Sequence, residues 1–217
     1  MKIALDLDGT LITCEPRQSA VLEVALKPRR LSVDTRRVWG LKRNGASTED
    51  ALVTVGLSRA DAREVARDWR RMIEEPAWLA LDQVIYGVYE TLDEMCCMSA
   101  HLMLLTARSR REWLEQQLRH LRLSRFFRSV IVVSPERATQ EKAQCLSEES
   151  VAAFIGDTES DMRAASSARV AFYAVETGQR DAEFLARASE SAVYSDLASV
   201  WNKLKSDSKY SGPSGRS

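Results

Sequence analysis

The chain has 217 residues, 45% of them apolar and 29% charged, with 31 basic side chains against 31 acidic ones. That length holds one buried core plus a small insert and excludes several large domains. The balanced charge removes any electrostatic argument for nucleic acid or an anionic membrane as partner, and no apolar run approaches the roughly 18 residues a membrane span needs.

The N-terminal Met1-Lys2-Ile3-Ala4-Leu5-Asp6 turns acidic before a signal-peptide apolar region can form, so a cytoplasmic location is expected. Cys14, Cys96, Cys97 and Cys145 show no CxxC spacing and no clustered histidine, which argues against structural zinc. The adjacent Cys96 and Cys97 lie in a leucine-rich stretch and read as core fillers of a reduced protein.

Short apolar runs predict strands at 3–7, 101–106, 129–133, 151–155, 170–175 and 192–194. The first five are rich in Val, Ile, Leu and Ala without clean alternation, as in parallel strands covered on both faces. Helical patterns fall between them at 82–95, 108–121, 139–146, 159–166, 182–188 and 195–204. This alternation predicts an α/β fold with a doubly wound parallel sheet.

Residues 17–78 break the alternation: helix patterns occur there, with no convincing strand. Ser58 opens one helix as its cap, and Trp69 and Met72 carry its apolar stripe. The expected organisation is a core from 1–16 and 79–206, a small all-helical domain from 17–78, and a polar, disordered tail from 207–217. Proline after Glu15 and after Glu75 marks the two boundaries.

Asp6-Leu7-Asp8-Gly9-Thr10-Leu11 follows the first strand directly. Strand period two sends Asp6 and Asp8 to one side and Leu7 to the other. Two carboxylates at the end of an apolar strand repel each other and lose hydration, which a divalent cation would offset. Further on, Thr106 ends an apolar strand just before Ala107-Arg108. A hydroxyl and backbone N–H groups there can hold a phosphoryl oxygen, although a threonine at that place also serves as a helix cap. Lys142 precedes the next strand but one; alone it reads more readily as a solvated lysine. Ile155-Gly156-Asp157-Thr158-Glu159-Ser160-Asp161 follows another apolar strand, with Asp161 one helical turn beyond Asp157 and Glu159 directed elsewhere, towards solvent.

These four segments, in this order, resemble the motifs of the haloacid dehalogenase superfamily: DxDGT[LV], a strand-ending Thr or Ser, a lysine, and GDxxxD. The resemblance covers the core and implies a Rossmann-like sheet with a helical cap after the first strand. It implies Asp6 as nucleophile, Asp8 as acid/base and Lys142 as the neutralising cation, with Thr106, Ala107, Gly9 and Lys142 around the phosphoryl group. The implied cofactor is Mg2+, held by Asp6, Asp157 and the main-chain carbonyl of Asp8, with Asp161 a further metal residue. The expected substrate is a small phosphorylated metabolite, with neither nucleic acid nor membrane as partner and a monomer or homodimer as the assembly. A phosphomutase shares all four motifs, and a non-catalytic phosphate-binding module is the rival outside enzymology. Asp8 favours phosphoryl transfer over dehalogenation, and neither Lys27 nor Lys42 has the context of the cap lysine that phosphonate-cleaving relatives use. The insert carries Arg29-Arg30, Arg36-Arg37, Lys42-Arg43 and Arg70-Arg71, readable as attraction for an anion or as a solvated face.

Overall fold

The computed structural model describes residues 1–188 and 192–210. The apolar runs form one sheet of β1 (Lys2–Leu5), β2 (His101–Ala107), β3 (Ser129–Val133), β4 (Ala153–Gly156), β5 (Ala171–Val175) and β6 (Val193–Tyr194). All neighbouring pairs are parallel, in the order β3-β2-β1-β4-β5-β6. Ile3, Ala4 and Leu5 are wholly buried, as the missing alternation requires of a strand with helices on both faces.

Eleven α-helices are found among the described residues. Five belong to the insert: α1 (Glu15–Leu26), α2 (Thr35–Arg43), α3 (Thr48–Thr54), α4 (Arg59–Met72) and α5 (Pro76–Leu79). The other six alternate with strands: α6 (Val88–Cys97), α7 (Arg111–His120), α8 (Ala138–Glu148), α9 (Glu159–Ala168), α10 (Ala182–Ala188) and α11 (Leu197–Tyr210). On one sheet face Ile3, Leu5, Leu102 and Leu104 pack with apolar residues of α6, α7 and α11. On the other, Ala4, Met103, Leu105 and Phe154 pack with Leu146 of α8 and Ala164 and Ala165 of α9.

The insert has its own apolar cluster, built on Leu22, Leu26, Val38, Leu52 and Val65, with Trp69 and Met72 against it. Ser47 and Ser58 cap α3 and α4 by accepting the Asp50 and Asp61 main-chain N–H, each satisfying a donor the helix cannot use. The prolines at the two boundaries start helices: Pro16 and Pro76 lie in the first turns of α1 and α5, where the absent N–H costs nothing.

Three expectations are corrected. The helix expected from 82 begins at Val88, because Asp82 is drawn into a buried ion pair with Arg17. Cys96 and Cys97 are exposed. The phase of α6 turns Val88, Leu92 and Met95 inward and leaves the two thiols outside. Finally, α11 continues to Tyr210, past the expected start of the tail, whose residues 211–217 lie outside the described ones. No helix among the described residues is long and apolar enough to cross a membrane.

Phe154 is fully buried and meets the Phe172 ring edge-on at 5.9 Å. Phe154→Ala is expected to cost about 3–5 kcal/mol of stability, read from equilibrium urea unfolding; a loss below about 1 kcal/mol would contradict this packing.

Candidate active site

Because β1 lies between β2 and β4, the segments leaving three strand ends converge, where open parallel sheets place their ligands. The Asp6 N–H donates to the Ile155 carbonyl at 2.9 Å, tying the end of β1 to β4. Leu7 is buried in the core. Asp6 and Asp8 instead line one cavity of about 170 Å³ together with Thr106, Ala107, Lys142, Asp157 and Asp161. All the sequence-predicted site residues except Gly9 thus meet in one place.

Lys142 reaches the cavity from α8 and lies 2.7 Å from Asp6 and 2.6 Å from Asp161. Arg137, the other basic residue nearby, is exposed and pairs with Glu141. Thr158 caps α9 and orients Asp161 reciprocally, donating its hydroxyl to Asp161 Oδ2 at 2.6 Å while accepting the Asp161 N–H. Asp157 Oδ2 accepts the Gln179 N–H at 2.6 Å, and Asp157 Oδ1 is buried without a partner.

Asp6, Asp157 and Asp161 each offer an oxygen within 4.8 Å of the others. One ammonium cannot balance three buried carboxylates. Burial pushes the Asp6 carboxyl up to about 7, with Asp161 adding to the rise and Lys142 opposing it. Burial, then the charges of Asp6 and Asp161, push Asp157 well above the ordinary range. Burial alone would lower Lys142, but Asp161 and Asp6 reverse that and raise it, so its charge is secure. Hard oxygen donors, surplus negative charge and an unpartnered buried carboxylate oxygen suit Mg2+.

The Asp8 carboxylate lies outside this cluster. It takes hydrogen bonds from Arg17 Nη2 and, at 2.8 Å, from Arg108 Nη2. Burial works to raise its pKa, but the guanidiniums of Arg108 and Arg17 hold it below the ordinary range. Its expected metal contact is therefore left to the main chain. Arg17 continues to Asp82 at 2.9 Å, Gln117 donates to Asp82 at 2.8 Å, and Arg108 reaches Gln117 at 3.4 Å. The five side chains close a buried ring. Neither arginine stands out in the sequence, apart from the position of Arg108 two residues after Thr106.

Gly9 is also corrected. Its N–H donates to the Ile12 carbonyl at 2.7 Å, so it has no free donor for phosphate. Its role is conformational: φ is +80°, and a Cβ there would meet Asp157 Oδ2 at 2.3 Å. Gly178 is as constrained, since its Cβ would lie 1.9 Å from the same oxygen. Its signal in the sequence is the polar Thr177-Gly178-Gln179 turn directly after an apolar strand, which falls outside the four motifs.

The segment 176–181 also joins the site to the insert. Arg43 donates to the Glu176 carbonyl at 2.7 Å, Arg180 to the Lys42 carbonyl at 2.7 Å, and the Asp181 N–H to the Arg43 carbonyl at 3.1 Å. Arg180 also pairs with Glu159 at 2.7 Å, so Glu159 is not the solvated residue its helical position suggested. Lys42 itself is buried over the Trp69 ring, 4.2 Å from its centroid, and bonded to Gln18. Burial lowers its pKa to about 7, yet it is not among the residues lining the cavity. A second cleft of about 320 Å³ between core and insert adjoins the cavity at Asp8, Ala107 and Gln179, and is lined also by Arg17, Arg70 and Arg108.

The family model for haloacid dehalogenase-like hydrolases matches residues 3–175, and the chain belongs to that family. Among solved structures it is similar to a haloacid dehalogenase-like hydrolase from Streptococcus pneumoniae, at TM-score 0.75 and 21% identity over 94% of this chain and 97% of that one. A predicted phosphatase from Clostridium acetobutylicum superposes at TM-score 0.74 and 18% identity, over 94% and 98% of the two chains. A predicted phosphoglycolate phosphatase from Haemophilus somnus gives 0.70 and 19%, over 93% and 96%. At these identities the likeness is one of fold. No curated protein matches the chain.

The raised carboxyls have a consequence for stability. An unfolded carboxyl titrates near ~4, whereas Asp6 titrates at about 7 and Asp82 at about 6. Folding therefore favours their protonated forms, a contribution complete below ~4 and lost as pH rises through about 7. The Tm of metal-free protein should fall between pH 5 and pH 8, and saturating Mg2+ should remove most of that fall. Differential scanning fluorimetry checks this; a flat metal-free profile would overturn the charge assignment.

Proposed function

We propose that this chain is a Mg2+-dependent phosphatase that hydrolyses a small phosphomonoester through an aspartyl-phosphate on Asp6. The observation that carries the reading is the Asp6 carboxylate facing the cavity with Lys142 at 2.7 Å and the Asp157–Asp161 pair beside it. Asp6, Asp157 and the main-chain carbonyl of Asp8 would hold the Mg2+, with Asp161 as the further carboxylate, and the ion would supply charge neutralisation at the phosphoryl oxygens.

The roles of the chain's own groups follow from where they stand. Asp6 attacks phosphorus and splits one displacement into two easier ones. Lys142 favours the ionised form of that carboxylate against its burial and, with Thr106 and the main chain at Ala107, receives the phosphoryl oxygens. Asp8, ionised while it faces the arginines, takes up a proton from water once it leaves them, gives that proton to the leaving oxygen and later takes one from the attacking water. For that it has to turn from the two arginines towards the ester. The insert acts as a cap: the cleft it forms with the core adjoins Asp8, and the leaving group would lie there. The predicted phosphatase and predicted phosphoglycolate phosphatase among the similar structures agree with this reading.

The expected behaviour is release of orthophosphate from 4-nitrophenyl phosphate with Mg2+, loss of turnover on chelation, and poor rescue by Ca2+, whose longer and more numerous bonds would misplace Asp6. Asp6→Asn should lower kcat by on the order of 10³-fold or more while Tm shows a folded protein. Substantial activity in folded, deamidation-free Asp6→Asn would sink the mechanism.

A further inference from the structure

We infer that Arg17 and Arg108 form an anion seat for the leaving-group end of the substrate. The preferred substrates are then phosphomonoesters that carry a second oxyanion, carboxylate or phosphate, a short spacer from the scissile ester. The inference rests on the phosphatase reading and names its substrate class.

Both guanidiniums are buried, at 3% and 5% exposure, and both line the cleft that adjoins Asp8. Burying two cations is costly unless anions face them. Two do: Asp82, fixed between Arg17 and Gln117, and Asp8. The ring is therefore neutral only while Asp8 stays in it. When Asp8 turns to the ester oxygen, two buried guanidiniums are left with one carboxylate.

Arg17 cannot follow Asp8. Its Nε is held by Asp82 at 3.0 Å and its Nη1 by the Ile73 carbonyl at 3.1 Å. Arg108 is under-partnered, with a 3.4 Å bond to Gln117 and a buried Nε that has no acceptor. The group that restores the balance is an oxyanion occupying the place of the Asp8 carboxylate, with the same acceptors for the same donors. A substrate able to supply it frees Asp8 as it binds. A neutral alcohol phosphate cannot, and leaves the donors unpaired.

The same cleft limits the spacer. Exposed Glu136 and half-buried Glu74 line it as well; Glu74 accepts from the Ser109 N–H and hydroxyl, and Glu136 from the Ser134 hydroxyl. Arg70 in the same lining offsets one of these charges, and the net negative charge that remains away from Asp8 places the second anion within a few bonds of the ester.

The test compares kcat/KM, with Mg2+ present, for phosphoglycolate, ethylene glycol bisphosphate and the neutral 2-hydroxyethyl phosphate. The wild type should favour at least one anionic substrate by about tenfold or more, and the two anionic arms tell carboxylate from phosphate. In Arg108→Gln that preference should fall towards one, while Arg108→Lys, keeping charge without the fork, should fall between. Tm and circular dichroism establish folding, and the wild-type ratio is decisive by itself if a variant does not fold. Equal kcat/KM for neutral and anionic substrates, or one common factor for all of them in Arg108→Gln, overturns the anion seat and leaves the phosphatase reading standing. Absence of turnover on every phosphomonoester, 4-nitrophenyl phosphate included, removes the phosphatase reading and the inference with it.

Discussion

Three buried carboxylates share one ammonium at the end of this sheet, and that excess of negative charge governs the arrangement around it. Asp6, Asp157 and Asp161 lie close enough for their oxygens to meet around one ion, in a buried setting that screens them weakly. Lys142 bridges two of them, Thr158 holds the second oxygen of Asp161 and the Gln179 amide one oxygen of Asp157, and two glycines let the backbone approach Asp157 where any side chain would collide. Each of these features serves to keep like charges together against their repulsion.

The topology makes this possible. In the order β3-β2-β1-β4-β5-β6 the chain departs from β1 in both directions, so the segments after β1 and β4 are neighbours although some 150 residues separate them. Two apolar layers, one per sheet face, fix the strands that carry Asp6, Thr106 and Asp157. The polar ring of Arg17, Asp82, Gln117, Arg108 and Asp8 works differently. It holds the Asp8 carboxylate by opposite charge, outside the carboxylate cluster.

The parts legible in the sequence are those in which chemistry is tied to local geometry. Asp6, Asp8, Thr106 and Asp157 each stand at or just after a strand end, and the strands announce themselves as apolar runs; Asp161 follows from helical spacing, and Lys142 from the family resemblance alone. The alternating core and the helical insert are readable for the same reason. What escapes depends on contacts between distant segments. Arg17, Asp82, Gln117 and Arg108 come from the insert boundary, a loop, α7 and the end of β2, and no spacing links them. Asp82 reads as a helix residue because its tie to Arg17 is invisible locally. Cys96 and Cys97 read as interior because composition, without the phase of α6, cannot tell which side of a helix a residue takes. Gly9 belongs to a phosphate-handling motif, while its N–H closes its own turn.

The two ends of the segment from Glu176 to Asp181 have to be considered together. Through Gln179 it grips Asp157, and through its other bonds it grips the backbone of Lys42 and Arg43 in the insert. These ties run over six consecutive residues, too short a stretch of chain for the two grips to relax independently. Any change in the posture of the insert that moves this segment is thus felt at Asp157. Thermodynamic reciprocity then fixes the proportion: by whatever factor the posture of the insert alters affinity at Asp157, occupancy there alters the balance of postures by the same factor.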